Sequence, residues 1–399
     1  MPPVRDDLHE PVTLGPHRVS GLWRVLLPED AQWLRLPAEE LADCSVCPPA
    51  ARGEYSPGCR CCGYLPHVPN VLLGLALEDP EAGPRVRAAI ADGHALPAGL
   101  MASPARFRRS IELDAKGGFG TQAAMACPFL QAETGGCGIY AYRNSTCSTF
   151  FCVNDHGAPG ESLWDSMQAL MGAAEGAVAQ WAMGEAGLPW ATQAERMGEV
   201  AKDLPRASSE SEAWSEAARR LIWGAWYGRE EAFYAACLVA LRGARDGLFD
   251  RLAKATPTDA VAYEQAVRDS VAPEHQHEYP PIATDGIELR PVDDLWYRLQ
   301  VRLRALWSLP LDGELVAWSP GIRIAPPSGR LPILLGGRHR VAGAERIQWL
   351  TDPELALLRR FRNGRVIDSD LLEGPEADAL DDPRGFLAAC LRRGVLRVT

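Results

Sequence analysis

Nine of the eleven cysteines fall in two short bursts. The first holds Cys44, Cys47, Cys59, Cys61 and Cys62; the second holds Cys127, Cys137, Cys147 and Cys152. Thiolates gathered in this way are the donors that a soft metal ion or an iron–sulfur cluster requires. Cys44-Ser-Val-Cys47 has the two-residue gap of a chelating turn, in which two side chains converge on one metal while the intervening amides point at the sulfurs. Cys61 and Cys62 are adjacent. Neighbouring side chains diverge, so one of the two is expected to stand behind the ligands or to serve a different site. The gap of nine residues on either side of Cys137 exceeds one chelating turn, so the second burst has to converge through the fold. Pro128, Gly135, Gly136 and Gly138 supply the tight backbone needed close to sulfur. Phe129, Ile139, Tyr140, Phe150 and Phe151 are expected to wall the site against water. Arg143 either donates to a thiolate or makes an ordinary surface ion pair.

Taken together, Cys59-x-Cys61-Cys62, Cys127-Pro-Phe-Leu, Cys137-Gly-Ile-Tyr140, Arg143, Cys147 and Cys152 form a recognisable pattern. It resembles the YkgJ-type cysteine-cluster proteins, which are described as zinc- or iron-chelating domains. The likeness covers roughly residues 44–155, and its most specific part runs from Cys137 to Cys152. The family usually carries two cysteines just before its double cysteine, whereas Cys44 and Cys47 stand further off here. A related branch, the flagellin lysine N-methylases, has a similar Cys-Pro-Phe-Leu segment and is associated with an iron–sulfur cluster. The resemblance therefore implies a metal centre and, as an alternative, methyl transfer from S-adenosylmethionine to a protein lysine.

The remaining composition narrows the setting. A chain of 399 residues is long enough for two or three domains and a large core. A net charge of −11 disfavours nonspecific binding to nucleic acid or to an anionic membrane. No apolar run reaches membrane-spanning length, and the opening MPPVRDDLHEPV lacks the basic and apolar stretches of a signal peptide. A cytoplasmic protein is expected, in a compartment where clustered cysteines favour metal over disulfides.

The elements that must carry these residues divide the chain into three expected regions of an α+β fold: an irregular cysteine-rich metal-binding domain over 1–157, a mostly helical region over 158–284, and a mixed α/β region over 285–399 that ends in a winged-helix-like module. In the first, Val19 to Leu27 and Phe107 to Leu113 read as strands, Pro28 to Leu41 has helical spacing, and Val71 to Leu77 and Val86 to Ala91 read as short helices. Lys116-Gly-Gly-Phe-Gly120 reads as a plain turn, since no phosphate-loop frame surrounds it. In the second, Leu163 to Trp181 follows a helical period. Ser208 and Ser209 are expected to cap a helix carrying Trp214, Ala218, Leu221, Ile222 and Trp226, followed by one with Phe233, Cys237, Leu238 and Leu241. The tryptophans and Cys237 are expected in the core. Asp293 to Leu309 reads as a helix; Glu314 to Trp318, Ile322 to Ala325, Leu331 to Leu335 and Arg338 to Val341 read as strands. Asp352 is expected to cap a helix with Leu355, Leu358 and Phe361, followed by a turn at Asn363-Gly364, a short helix over Ser369 to Leu372, a helix over Pro383 to Leu391 and a strand over Val395 to Val398.

Glu274-His275-Gln-His277-Glu278 is the one histidine pair, and its flanking prolines argue for a loop rather than a metal-binding strand. There is no glycine-rich strand–helix motif for a nucleotide cofactor, no radical-enzyme cysteine triplet and no nucleophile–base constellation. The sequence therefore points to a metal-binding cysteine-cluster protein with a redox role, or an accessory role in protein or peptide modification. Its centre is expected to be an iron–sulfur cluster, such as the 4Fe–4S type, in preference to a zinc or iron ion. More than four cysteines are on offer, the walls are aromatic, and the second burst contains no histidine. A protein or peptide partner is expected at the C-terminal region. A strand edge beside a helix, supplied by Val395 to Val398 or Arg338 to Val341, can add an extended peptide; the alternative is that this region only completes the core.

Overall fold

The computed structural model describes residues 6–28, 31, 34, 36–39, 44, 47–131, 133–152, 156–202, 213–252, 292–307, 315–318, 323–325, 339–342, 348–367, 375–380, 382–392 and 395–398. Helices dominate, with a few small antiparallel sheets. The chain forms two compact units: Met1–Leu36, Leu41–Phe150 and Asp165–Arg298 make one, and Pro37–Glu40, Phe151–Trp164 and Leu299–Thr399 make the other.

The first unit begins with a hairpin, β1 (Val12–Leu14) and β2 (His17–Val19), and a single turn of helix, α1 (Trp23–Leu26). Val19 to Leu27 is thus not the expected strand. At Gly21 the chain presses on the preceding segment, where an added Cβ would lie 2.2 Å from the Leu8 carbonyl oxygen, and the backbone turns there into α1. A short helix, α2 (Pro48–Ala51), follows Cys47. The central pillar is α3 (Asn70–Glu78), whose Val71, Leu72, Leu73, Leu75 and Ala76 are all fully buried. Next come α4 (Gly83–Ala91) and a small sheet in which β5 (Gly99–Leu100) lies between β3 (Val68–Pro69) and β4 (Ala95–Leu96).

The segment expected as a strand over Phe107 to Leu113 is helix α5 (Pro104–Ala115). Its start is fixed by Ser103, whose hydroxyl accepts from the Arg106 amide at 3.2 Å, with Pro104 at the first helical position where a missing N–H goes unnoticed. After the second cysteine burst, which includes the short helix α6 (Ser145–Thr149), come α7 (Gly157–Glu185), α8 (Trp190–Lys202), α9 (Glu216–Trp223), α10 (Glu230–Ala244) and α11 (Leu248–Leu252). The cap of α9 is Ser215, which accepts from the Ala218 amide, and a separate 3-10 turn carries Trp226. Ser208 and Ser209 lie outside the described residues, as do Glu274 to Glu278, Leu331 to Leu335, Ser369 and much of Pro28 to Leu41.

The core of this unit is built where α10 crosses α3. Gly74 allows the approach, since a Cβ there would stand 2.8 Å from the Tyr234 carbonyl oxygen. Trp223, Phe233 and Tyr234 pack edge-to-face beside it, and the Tyr234 hydroxyl donates to the Leu96 carbonyl at 2.7 Å. Trp214 and Trp223 are core residues, as expected, and Cys237 is fully buried among them.

In the second unit β6 (Leu315–Trp318) lies between β10 (Arg365–Val366) and β11 (Leu396–Val398), and a second sheet has β8 (His339–Ala342) between β7 (Arg323–Ala325) and β9 (Gln348–Leu350). β8 is therefore a central strand, with Arg340 and Val341 paired on both sides. Helix Asp352–Arg359 is capped by Thr351, not Asp352, in a reciprocal box with Glu354. Leu355, Leu358, Phe361, Ile367, Leu387, Cys390 and Leu396 form its own buried cluster with helix Pro383–Arg392. Among the described residues no helix is long and apolar enough to cross a membrane.

Candidate metal centre

The first burst is organised by a tight 3-10 turn over Arg60–Gly63. The Ser56 carbonyl starts it, accepting from the amides of Cys59 and Arg60 at 3.0 Å each. Arg60 is in the left-handed region at φ 56°, the one such non-glycine residue among those described. That conformation is unfavourable by about 1 kcal/mol for a residue with a Cβ, so tertiary contacts must hold it. They do: the Arg60 guanidinium donates to the Cys44 carbonyl and lies directly over the Cα of Gly135. The sulfur of Cys59 is fully buried and packs against Gly63, where an added Cβ would stand 2.9 Å from it. The Cys61 and Cys62 side chains, expected to diverge, interact within this 3-10 turn, and Cys62 is the first cause of the rise at Cys61.

The second burst is tied to the first by its backbone. The Cys127 amide donates to the Cys62 carbonyl at 2.7 Å. The chain then doubles back in a hairpin: Leu130 pairs with Cys137, Gly138 donates to Phe129 at 2.7 Å, and Gln131 donates to Gly136 at 2.9 Å. Cys127 and Cys137 therefore stand near the two legs of one hairpin, which is how the gap of nine residues closes. Gly135 makes the reversal at φ 71°. Cys147 is placed by α6. Asn144 caps that helix by accepting from the Cys147 amide at 3.2 Å, and its amide group donates to the His67 carbonyl at 2.9 Å. Arg143 donates to the Cys147 carbonyl at 3.1 Å and stacks on the Tyr140 ring at 3.7 Å from its centre. From α7, Glu175 accepts from the Ser145 amide at 2.9 Å and from the indole of Trp23 at 3.0 Å.

These thiols respond to one another's charge. Burial, then the neighbouring Cys147 and Cys137, push Cys127 up to about 12. Burial and then Cys137 push Cys147 up to about 12, with Cys61 and Glu175 adding to the rise. Cys137 is raised by burial and then by Cys44; Cys61 is raised by Cys62 and then by burial. Guanidinium groups oppose these shifts throughout: Arg60 at Cys61, Arg106 at Cys127, Arg143 and Arg85 at Cys137, and Arg143 at Cys147.

The structure thus brings Cys44, Cys61, Cys62, Cys127, Cys137 and Cys147 into one electrostatic neighbourhood. Cys59 lies behind the turn, Cys47 is half-buried at the start of α2, and Cys152 is exposed and belongs to the second unit. Of the expected walls, Phe129 and Ile139 are buried, whereas Tyr140 and Phe150 are more than half exposed. Among the described residues no three His, Cys, Asp or Glu side chains already stand in chelating positions. The donor set is nonetheless wholly sulfur, and a backbone hydrogen bond joins the second burst to the first; such a set fits a soft metal or a cluster. Arg85 and Glu175 escape a reading of the sequence, since each acts on a cysteine from a distant segment and belongs to no spacing pattern. No family model, curated protein or solved structure matches the chain.

Proposed function

We propose that the chain binds an iron–sulfur cluster or a zinc or iron ion through thiols drawn from Cys61, Cys62, Cys127, Cys137 and Cys147, with Cys44 at the margin. The observation that carries the reading is the backbone tie between the two bursts, the Cys127 amide on the Cys62 carbonyl at 2.7 Å, with Cys137 folded back in the hairpin that follows. The resemblance to the YkgJ-type proteins supports it. A cluster supplies one-electron chemistry when bound, and a zinc ion supplies a rigid tie. The residues of the chain do the rest. Phe129 and Ile139 keep water from the inner side. Asn144 and Glu175 fix the short helix on which Cys147 rides. The arginines offset the charge of thiolates once their protons leave. The iron–sulfur reading is preferred because the site offers more than four thiols and no histidine within the second burst. The physiological role that follows is electron transfer, or support of a protein- or peptide-modifying step.

The test is iron, sulfide and zinc analysis of anaerobically purified protein with its visible spectrum, repeated for Cys137→Ser and Cys147→Ser. Both variants are expected to lose the metal and to destabilise the first unit, since affinity at a structural site is folding energy on the order of 10 kcal/mol. Undiminished metal in both variants defeats the reading; a colourless protein with stoichiometric zinc and no sulfide reverses the choice of metal.

A further inference from the structure

Arg85 stands in the first turn of α4, far in sequence from either cysteine burst. Its side chain nevertheless reaches the loop of Cys137. An added Cβ at Gly138 would lie 2.2 Å from the Arg85 Cδ and 2.6 Å from its Nε. Gly138 is not among the glycines with positive φ, so its backbone does not require glycine. What requires the missing side chain is the arginine lying across it. Among the described residues the Arg85 guanidinium makes no hydrogen bond and no ion pair, unlike Arg87 two residues on, which pairs with Glu231 at 2.9 Å. A partly buried guanidinium without an anion is thus laid over the residue that directly follows Cys137, in the loop that carries this thiol.

We propose that Arg85 is a positioning residue for the metal centre: it supplies the positive charge that steadies Cys137 as a thiolate ligand, and Gly138 is glycine so that Arg85 can cross the loop. The inference rests on the metal-binding reading and deepens it, by assigning to one residue of α4 a share of the affinity. Groups that orient or polarise a ligand from outside the coordination shell are worth roughly 10-fold to 100-fold in metal affinity. The arginine sits at the modest end of that range, because it is partly exposed and water screens part of its field.

The experiment is an anaerobic titration of the full chain, stripped of metal, with cobalt(II) alone, read by the thiolate-to-cobalt charge-transfer absorption. Arg85→Leu and Arg85→Gln are expected to weaken cobalt binding about tenfold, while Arg85→Lys keeps most of the affinity and Arg87→Gln all of it. Gly138→Ala is expected to weaken binding as Arg85→Leu does, and the double variant to be no weaker than the poorer single one, because both changes act through one contact. Absence of a charge-transfer band in the unaltered protein defeats the metal reading and this inference with it. A normal band whose midpoint is the same in Arg85→Leu, or losses that simply add in the double variant, overturns the role of Arg85 alone.

Discussion

Glu175 offers the sharpest test of how the cysteine loops are held. Its carboxyl is fully buried on α7, accepts two hydrogen bonds, and is pushed up from 4.5 to about 7, chiefly by desolvation and against the donors Ser145 and Trp23. The folded protein therefore holds this proton more tightly than the unfolded chain does. The associated stability is complete below the unfolded value and is lost as pH rises through about 7. The whole difference is roughly 3 kcal/mol, of which about 2 kcal/mol falls between about pH 5 and about pH 7.5. Glu175→Gln cannot ionise. It also presents an N–H where the carboxylate presented an oxygen, so one of the two donors loses its acceptor at a cost of about 1–3 kcal/mol at every pH. Urea unfolding of the metal-free protein across that pH range should show the variant weaker at pH 5 and closing on the wild type towards pH 7.5. Two curves that stay parallel would refute the argument, since they would mean that the carboxyl titrates alike in the folded and unfolded chain.

Three further outcomes are expected. Metal uptake should strengthen steeply as pH rises from about 6 to about 8, because buried Cys127 and Cys147 are pushed up to about 12 and must surrender protons to bind; a pH-independent midpoint in a zinc competition titration would count against thiolate ligation. Asn144→Ala removes the cap of α6 and a tie to His67, and should lower the stability of the first unit by about 1–2 kcal/mol while weakening metal retention in a chelator challenge; full retention would show that Cys147 is not held through this helix. Removal of residues 350–399 takes both neighbours from the central strand Leu315–Trp318 and should cause aggregation on gel filtration; a monomeric, folded product would return the C-terminal strand to the role of an independent docking edge.

The parts of the fold that could be read in the sequence are those whose stability is local and apolar. The run Val71 to Leu77 sits within a helix and is buried as far as Ala76, and Leu163, Met167, Leu170, Met171, Ala174 and Val178 are buried within α7. Where a polar contact decides the conformation, the pattern misleads. Phe107 to Leu113 carries alternating bulky residues, but the cap at Ser103 and the proline after it start a helix first. The helix Trp190–Lys202 falls inside the region expected to be mostly helical, though the sequence reading did not single it out. For the site, the cysteine types and the need for a fold-borne convergence were legible. The tight turn that holds Cys61 and Cys62 was not, since it requires Arg60 to adopt a left-handed backbone. Nor were Arg85 and Glu175, whose partners lie 52 residues along the chain at Cys137 and 30 at Ser145.

The cysteines outside the bursts show what a thiol kept only for packing looks like. Cys237 and Cys390 are as deeply buried as any in the cluster. Cys237 is pushed up to about 12 by burial, opposed by its own backbone amide and by no cation. A neutral thiol in a dry interior needs nothing more. Around Cys61, Cys127, Cys137 and Cys147, by contrast, α4, α5 and two loops each send an arginine to within electrostatic range. They do so in a chain whose net charge is −11, and Arg60 does so from a strained backbone. Arg60, Arg106 and Arg143 already donate to backbone carbonyls of these loops, those of Cys44, Met125 and Cys147 among them. Their charge brings a further return when several thiols shed their protons together, which is the condition that binding a soft cation imposes. The difference between the two kinds of buried cysteine in this one chain is therefore an argument for ligation that does not depend on any count of cysteines or on their spacing.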